Sequence, residues 1–277
     1  MSKSSKWLAL MVVFALSLSA LALVGCGETE EPAEEPTEEP AEEPAAADWK
    51  LVTPGTLTAG GEATYPPFEL INDAGESEGF DVDLGREIAM ELGLEYEFKH
   101  YNFDALIVGL QTGAEFDMIT SAMTIKPERA LEIDFSDPYF DAGQILAVRM
   151  SDAYVTLDDL AGKKIGVQSG TTGEAYTREN APADVTVVPF ENILQAFQAL
   201  QNGDVDGVVN DLPISEAIAA DPAREVKVVG DVMSSEQYGI GVNKENAALR
   251  DAINEALAKI KADGRYDAMI EKWFAAE

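Results

Sequence analysis

A single cysteine, Cys26, and a single histidine, His100, occur in the 277 residues. One cysteine excludes a disulfide framework or a cysteine-rich metal site, and one histidine removes His-clustered zinc centres. Cations are scarce too: 19 lysines and arginines stand against 51 acidic side chains, a net charge of −32. Such a chain cannot neutralise a run of phosphates, which excludes nucleic acid as a partner. Short catalytic and nucleotide-binding motifs are absent as well. There is no Walker loop, dinucleotide fingerprint, Gly-x-Ser-x-Gly elbow or His-Glu-x-x-His, and no cofactor is expected. Apolar material is plentiful: 46% of residues are hydrophobic, ample for one large core or two small ones.

The first residues read as an address. Lys3 and Lys6 form a positive start, Trp7 to Leu23 an apolar run, and Leu23-Val24-Gly25-Cys26 closes it. A small residue before cysteine at this place resembles the lipobox of bacterial lipoproteins. That resemblance implies a signal over residues 1–25, cleavage before Cys26, and lipid chains on Cys26 that hold the protein at a membrane. An ordinary transmembrane anchor is the alternative reading. After Cys26 and Gly27, residues 28–47 continue as Glu, Pro, Ala and Thr with nine glutamates and no aromatic or aliphatic anchor, so that 26–47 follows the signal as one segment. Such a segment cannot bury enough surface to fold and reads as an acidic, disordered tether. With the two lysines and nine glutamates set aside, residues 48–277 keep a net charge of −25.

From Leu51 onward short β-type runs alternate with helical patterns, the signature of α/β architecture. Strands are expected at Thr56–Gly60, Glu95–His100 and Phe116–Ser121, with helices at Asp81–Leu92 and Phe103–Thr112. A second set follows: strands at Lys164–Gln168, Val185–Pro189 and Val205–Asn210, with helices at Gly173–Glu179 and Asn192–Asn202. The halves share a phrase, Leu110-Gln111-Thr112-Gly113 into Phe116-Asp117 beside Leu200-Gln201-Asn202-Gly203 into Val205-Asp206. Two similar open α/β lobes are expected, with ligand held outside the carboxyl ends of their strands, in the cleft between them. Strands Ile145–Arg149 and Gln237–Val242 read as a double crossover. Lobe one would then comprise 48–144 and 237–277, lobe two 145–236, and the tail from Ala247 to Trp273 would be a helix on lobe one.

Several side chains could carry function. Arg129 lies in the first turn of a helix opened by Pro127, where a cation opposes the macrodipole and a bound anion would reverse the sign. Pairing with Glu128 or Glu132 is the plain alternative. Gln168-Ser169-Gly170-Thr171-Thr172-Gly173 ends a strand and opens a helix, so it reads either as an anion-binding loop or as a capped helix start. Asp211 suits a helix N-cap or a cleft carboxylate equally. Tyr65 and Phe103 sit in loops after strands and could stack on a ligand or join the core. His100 ends a strand and reads as a surface or packing residue.

In order along the chain, Gly60-Gly61-Glu62-Ala63-Thr64-Tyr65-Pro66-Pro67-Phe68-Glu69 is followed by Gly79-Phe80-Asp81-Val82-Asp83-Leu84. Next come Ser121-Ala122-Met123-Thr124, Glu128-Arg129, Ile133-Asp134-Phe135-Ser136-Asp137-Pro138-Tyr139, the Gln168 loop and Gln237-Tyr238-Gly239-Ile240. As a set, over roughly residues 55–275, these resemble the polar amino-acid solute-binding proteins, bacterial family 3, with the type II periplasmic-binding fold. The resemblance implies two α/β lobes joined by a two-strand hinge. It gives Arg129, Thr124 and the Thr171-Thr172 loop the ligand's α-carboxylate. Asp211, Thr124 and a carbonyl near Ala122 receive the α-ammonium, and Tyr65 and Phe103 the side chain. Ser121, Met123, Gln168 and Asn210 complete the expected lining, with Glu62 at the far end of the ligand. Glutamine-binding relatives carry His where this chain has Asn210.

A buried Glu62 would repel a ligand carboxylate, so donor side chains are favoured: basic amino acids first, neutral polar ones next. The resemblance further implies a non-enzymatic, monomeric, extracytoplasmic protein that closes on its ligand about the hinge. It would hand that ligand to an ABC permease driven by its ATPase. Alternatives are a same-fold enzyme of the cyclohexadienyl or arogenate dehydratase kind and a partner-mediated amino-acid sensor.

Overall fold

The computed structural model describes residues 48–275; the expected signal, Cys26 and the tether to residue 47 lie outside the described residues. Two five-stranded sheets organise the chain. In the first, the order is Glu95–His100, Thr56–Gly61, Met118–Ile119, Gly241–Val242, Asp134–Phe135. In the second it is Thr186–Phe190, Lys164–Gln168, Gly207–Asp211, Gln144–Arg149, Val226–Val229. Both place a first strand between the next two in parallel, then add one antiparallel strand adjoining the crossover. Near-continuous burial along Thr56–Gly61 and Lys164–Gln168 is what central parallel strands require. Among the described residues no helix is long and apolar enough to cross a membrane.

The shared phrase has one structural job in both halves. Gly113 and Gly203 end the helices Leu106–Thr112 and Ile193–Asn202 in the left-handed region, at φ 63° and 80°, where a side chain would be strained. The aspartate that follows then clamps the first strand of its own sheet. Asp117 donates its N–H to the Thr58 carbonyl at 2.8 Å and accepts the Thr58 N–H on its carboxylate at 2.8 Å. Asp206 does the same to Lys164, at 2.8 and 3.0 Å. The repeat therefore sets where the third strand joins each sheet.

The crossover differs from expectation. The connecting pair is Phe140–Ala142 against Glu236–Tyr238, antiparallel with Tyr238 opposite Phe140. Gln144–Arg149 instead lies inside the second sheet, because its unbroken apolar run Ile145 to Val148 is a fully buried central strand. Between the two stands Gly143, where an added Cβ would lie 2.2 Å from the Ser234 carbonyl oxygen, so only glycine lets the chains cross that closely. Gln237–Val242 likewise divides into a crossover strand and the sheet strand Gly241–Val242.

Other boundaries shift for local reasons. The strand expected over Phe116–Ser121 shortens to Met118–Ile119, between Asp117, which is occupied by its clamp, and Thr120, whose N–H makes the last bond to the sheet, to the Gly60 carbonyl at 3.1 Å. Phe103–Ala105 is a 3-10 turn before the helix Leu106–Thr112. The tail divides into Ala247–Ala262 and Arg265–Phe274, broken at Asp263-Gly264. Phe274 from its end packs at ring-centroid distances of 5.1, 5.5 and 5.0 Å from Phe68, Phe80 and Phe140. The tail thus seals an aromatic cluster on the crossover strand itself, and Phe140 stacks on Tyr238 at 5.9 Å.

Candidate functional site

The carboxyl ends of the central strands of both sheets converge on one cleft. Every residue lining it is among those expected from sequence: Tyr65, Phe103, Ser121, Ala122 and Thr124, with Arg129, Gln168, Thr171, Thr172 and Asp211. Glu62 and Asn210 stand immediately behind. Gln168 donates to the Glu62 carboxylate, and the Tyr65 hydroxyl donates to Asn210 Oδ1 at 3.0 Å. Met123 is placed differently: its side chain is buried among Leu106, Leu110, Phe116 and Ile133, and only its carbonyl is engaged, by the Gly239 N–H at 3.0 Å.

Arg129 sits in the helix Pro127–Glu132, whose first residue Pro127 needs no hydrogen-bond partner for nitrogen. Its guanidinium donates to two neutral carbonyls, Thr124 O at 3.0 Å and Gly170 O at 3.2 Å, and lies 5.3 Å from the centre of the Phe103 ring. Neither neighbouring glutamate forms a salt bridge with it; Glu132 accepts from Gln111 at 2.6 Å instead. Burial lowers the pKa of Arg129 from its usual value. A half-buried guanidinium served only by carbonyls favours an anion.

Facing it, the loop after Lys164–Gln168 is both things the sequence suggested. Thr171 caps the helix Thr172–Asn180 by accepting the Glu174 N–H at 3.2 Å, and Glu174 accepts the Gly170 N–H at 2.8 Å. Thr171 and Thr172 line the cleft with Arg129, and the Thr172 N–H opens the helix without an intrahelical acceptor.

Asp211 occupies the N-cap position of Leu212–Ala220 but makes no cap bond. The second helical residue is Pro213, which has no N–H to offer, and the Leu212 N–H goes to the Gly143 carbonyl at 2.9 Å. The carboxylate instead receives the Gln144 amide and the Tyr238 hydroxyl. Burial lifts its pKa to about 6, with nearby Glu236 adding to the rise and the hydroxyl and amide bonds opposing it. Glu62 is raised further, to about 7: burial dominates, Gln168 and Thr64 oppose, and Asp104 and Glu191 add to the rise.

Gln144 and Glu236 are the two site residues that sequence reasoning missed. One Gln144 amide nitrogen serves Asp211, Thr172 at 3.1 Å and Glu236 at 3.0 Å, and Glu236 also accepts from the Thr124 hydroxyl at 2.8 Å. Glu236 opens one crossover strand and Gln144 follows the other, and their signal would have been their place beside the Gln237-Tyr238-Gly239-Ile240 motif and its pairing partner. Of the two expectations for His100 the surface one holds: it is exposed, and its Nδ1 accepts the Ala63 N–H at 3.0 Å. The assembled cleft holds one cation, Arg129, and three carboxylates, Asp211, Glu236 and Glu62.

The description "Bacterial extracellular solute-binding proteins, family 3" matches residues 57–276. ABC transporter arginine-binding protein 1 of Escherichia coli (strain K12) is 36% identical over 224 residues, 79% of this chain and 90% of that protein. An ABC transporter glutamine-binding protein of Bacillus subtilis (strain 168) is 40% identical over 204 residues, 72% of this chain and 74% of that one. Among solved structures, an ancestral arginine-binding protein bound to arginine superposes with a TM-score of 0.76 at 46% identity, covering 80% of this chain and 99% of its own.

Proposed function

The chain belongs to the bacterial extracellular solute-binding proteins, family 3, and from that membership we propose that it is the amino-acid-binding component of an ABC importer, selective first for basic L-amino acids. The observation that carries the reading is the charge pattern of the cleft, a lone guanidinium at one end and carboxylates at the middle and far end. Arg129, Thr124 and the N–H groups of the Thr171-Thr172 loop take the α-carboxylate. Asp211, with the Thr124 hydroxyl and the Ala122 carbonyl, takes the α-ammonium, and Glu236 adds negative potential behind it. Tyr65 and Phe103 flank the side chain, and Glu62 meets its cationic end. A ligand with one anionic and two cationic groups satisfies all three stations. Glutamate or aspartate would bring a second carboxylate against Glu62, with Asp104 and Glu191 beyond it.

The action is binding and closure without bond chemistry. Ligand docks on the first lobe, and the second swings over it about Phe140–Ala142 and Glu236–Tyr238, a hinge closure. Contacts between the lobes, Glu62 to Gln168, Tyr65 to Asn210 and Arg129 to Gly170, then lock the cleft. A permease reads the closed form, and its ATPase drives import. Lipid on Cys26 anchors the monomer outside the cytoplasm, with residues 27–47 as tether; incorporation of a labelled fatty acid, lost in Cys26→Ser, tests that part.

Thermal unfolding of the protein with each common amino acid plus ornithine tests the function. Ligand at a thousand times its Kd stabilises by about 4 kcal/mol, a shift of several degrees. The expected responders are arginine, lysine, ornithine and histidine. A response to glutamate alone would sink the Glu62 argument. Silence toward every amino acid would overturn the function, and consumption of a prephenate-like substrate would then identify the same-fold enzyme.

A further inference from the structure

Beneath Ser121 and Ala122 lie two carboxyl groups for which ligand binding has no direct use. Glu69 opens the strand Glu69–Ile71, Asp81 lies in the first turn of the helix Phe80–Glu91, and both are 0% exposed. They meet carboxyl to carboxyl. Two of the four oxygens have donors: Asp81 Oδ2 accepts the Ala122 N–H at 2.7 Å and the Tyr139 hydroxyl at 2.8 Å, and Glu69 Oε1 accepts the Ser121 hydroxyl at 2.7 Å. The other two, Glu69 Oε2 and Asp81 Oδ1, are buried with no donor among the described residues. No lysine or arginine forms a salt bridge with either group among those residues. Two adjacent buried anions with no counter-ion are electrostatically untenable, whereas one proton between them turns two orphaned acceptors into a donor and its acceptor.

We propose that Glu69 and Asp81 share one proton, carried by Glu69 and donated to Asp81 Oδ1, and that the pair is the positioning device for the Ser121-Ala122 ledge of the cleft. Asp81 is the anion because two donors already serve it, against one for Glu69. Burial drives the Glu69 carboxyl well above its ordinary range, and the neighbouring Asp81 charge adds to that. Glu62 faces the pair from the first strand's end, Tyr65 from the loop beyond, Tyr96 from Glu95–His100, and Tyr139 and Tyr266 from the crossover and tail. None of these is a cation, so nothing facing the pair favours a second ionisation.

The device acts on two atoms of the ledge. Ala122 has φ 43°, in the left-handed region that strains alanine, and its N–H is held there by a charged acceptor. The Ser121 hydroxyl is spent on Glu69 while its oxygen accepts the Glu62 N–H at 3.0 Å. The pair therefore fixes both the carbonyl offered to an ammonium and the backbone that carries Glu62. The positioning half of the proposal rests on the binding function above; the shared proton does not.

Infrared spectroscopy of the full-length protein at about pH 9, where Glu62 and Asp211 are ionised, tests the proton directly. Wild type should show the carbonyl stretch of a protonated carboxylic acid, and Glu69→Gln should lose it. That variant presents an amide N–H to Asp81 and a carbonyl oxygen to Ser121, mimicking the protonated acid, so it should bind L-arginine within about threefold of wild type. Asp81→Asn gives Ala122 a neutral acceptor and turns an amide toward Glu69, and should weaken L-arginine by about tenfold or more. The melting temperature of wild type should fall with rising pH more steeply than that of Glu69→Gln, because the folded state keeps a proton the unfolded state releases. A band that survives Glu69→Gln would overturn the shared proton, and Asp81→Asn binding as well as Glu69→Gln would overturn the positioning. If Asp81→Asn does not fold, the affinity of Glu69→Gln decides the positioning, a loss of tenfold or so refuting it. If wild type ignores L-arginine, the binding function fails while the infrared result still decides the pair.

Discussion

Replacing Glu62 by glutamine separates what the carboxylate does for ligand from what it does to the fold. Its pKa is raised from an ordinary 4.5 to about 7, chiefly by burial. The folded state therefore keeps a proton that the unfolded state releases as pH rises past 4.5. The stability linked to that proton is full below about 4.5 and is lost as pH rises through 7, a difference of up to about 3 kcal/mol. A cationic side chain docking on Glu62 favours the charged form and returns the pKa by about 2 units. Binding of arginine should then be about 50-fold tighter at pH 8 than at pH 5, and about half a proton should leave per ligand at pH 7.

Glu62→Gln reverses both effects. Gln168 has one buried oxygen with no donor, so its amide can turn to accept from the new glutamine and the cross-cleft bond survives. Ligand-free variant at pH 8 should melt several degrees above wild type, since a buried charge is gone. Its affinity for arginine at pH 8 should fall by about 10- to 100-fold, and the pH dependence centred near 7 should vanish. A shallower slope should persist below pH 6, where Asp211 titrates. Calorimetric titration in buffers of different ionisation enthalpy measures affinity and proton count together. Unchanged affinity, proton release and pH profile in Glu62→Gln would refute the assignment of Glu62 to the ligand's cationic end.

Three other substitutions probe separate stations. Arg129→Ala should lower affinity for every amino acid by about 100-fold or more, and Arg129→Lys should not restore it, because a point charge cannot replace the two-pronged fork; calorimetry reads both. Asp211→Asn should cost about tenfold or more in affinity yet leave the melting temperature level or raised, since the side chain makes no helix-cap bond. Gly143→Ala should destabilise by about 2 kcal/mol or more in thermal melts, because the new Cβ would press on the Ser234 backbone and not on a movable side chain.

What was legible in the sequence follows from how local each signal is. Helix ends at Gly113 and Gly203, the Thr171 cap and the Pro127 start are written within a few residues, and each stands where expected. The crossover lies several residues before the expected strand because only Gly143 separates Phe140–Ala142 from Gln144–Arg149, too short a break to mark two strands on paper. Only the pairing of Phe140–Ala142 with Glu236–Tyr238, far along the chain, tells hinge from sheet. Met123 differs from expectation for a related reason: Ser121, Ala122 and Thr124 all line the cleft, and only past the strained turn at Ala122 does the Met123 side chain face the core.

Asp211 shows most plainly why composition alone could not rank the carboxylates. Its sequence context, an acid before Leu-Pro, is a good N-cap, and an N-cap carboxylate would be spent on the helix. Yet Pro213 removes one of the two N–H groups a cap could take, and Gln144 from the second sheet and Tyr238 from the crossover turn the charge into the cleft. Residues 144 and 211 pair across adjacent strands, and Tyr238 returns from the hinge, so three distant segments must meet before the carboxylate acquires its role. The same logic applies to Glu69 and Asp81, where two acids in a recognisable motif become a single proton-sharing unit only once both are buried. In a chain with 51 acids and 19 bases, function resides in the few carboxylates that folding deprives of both water and counter-ion.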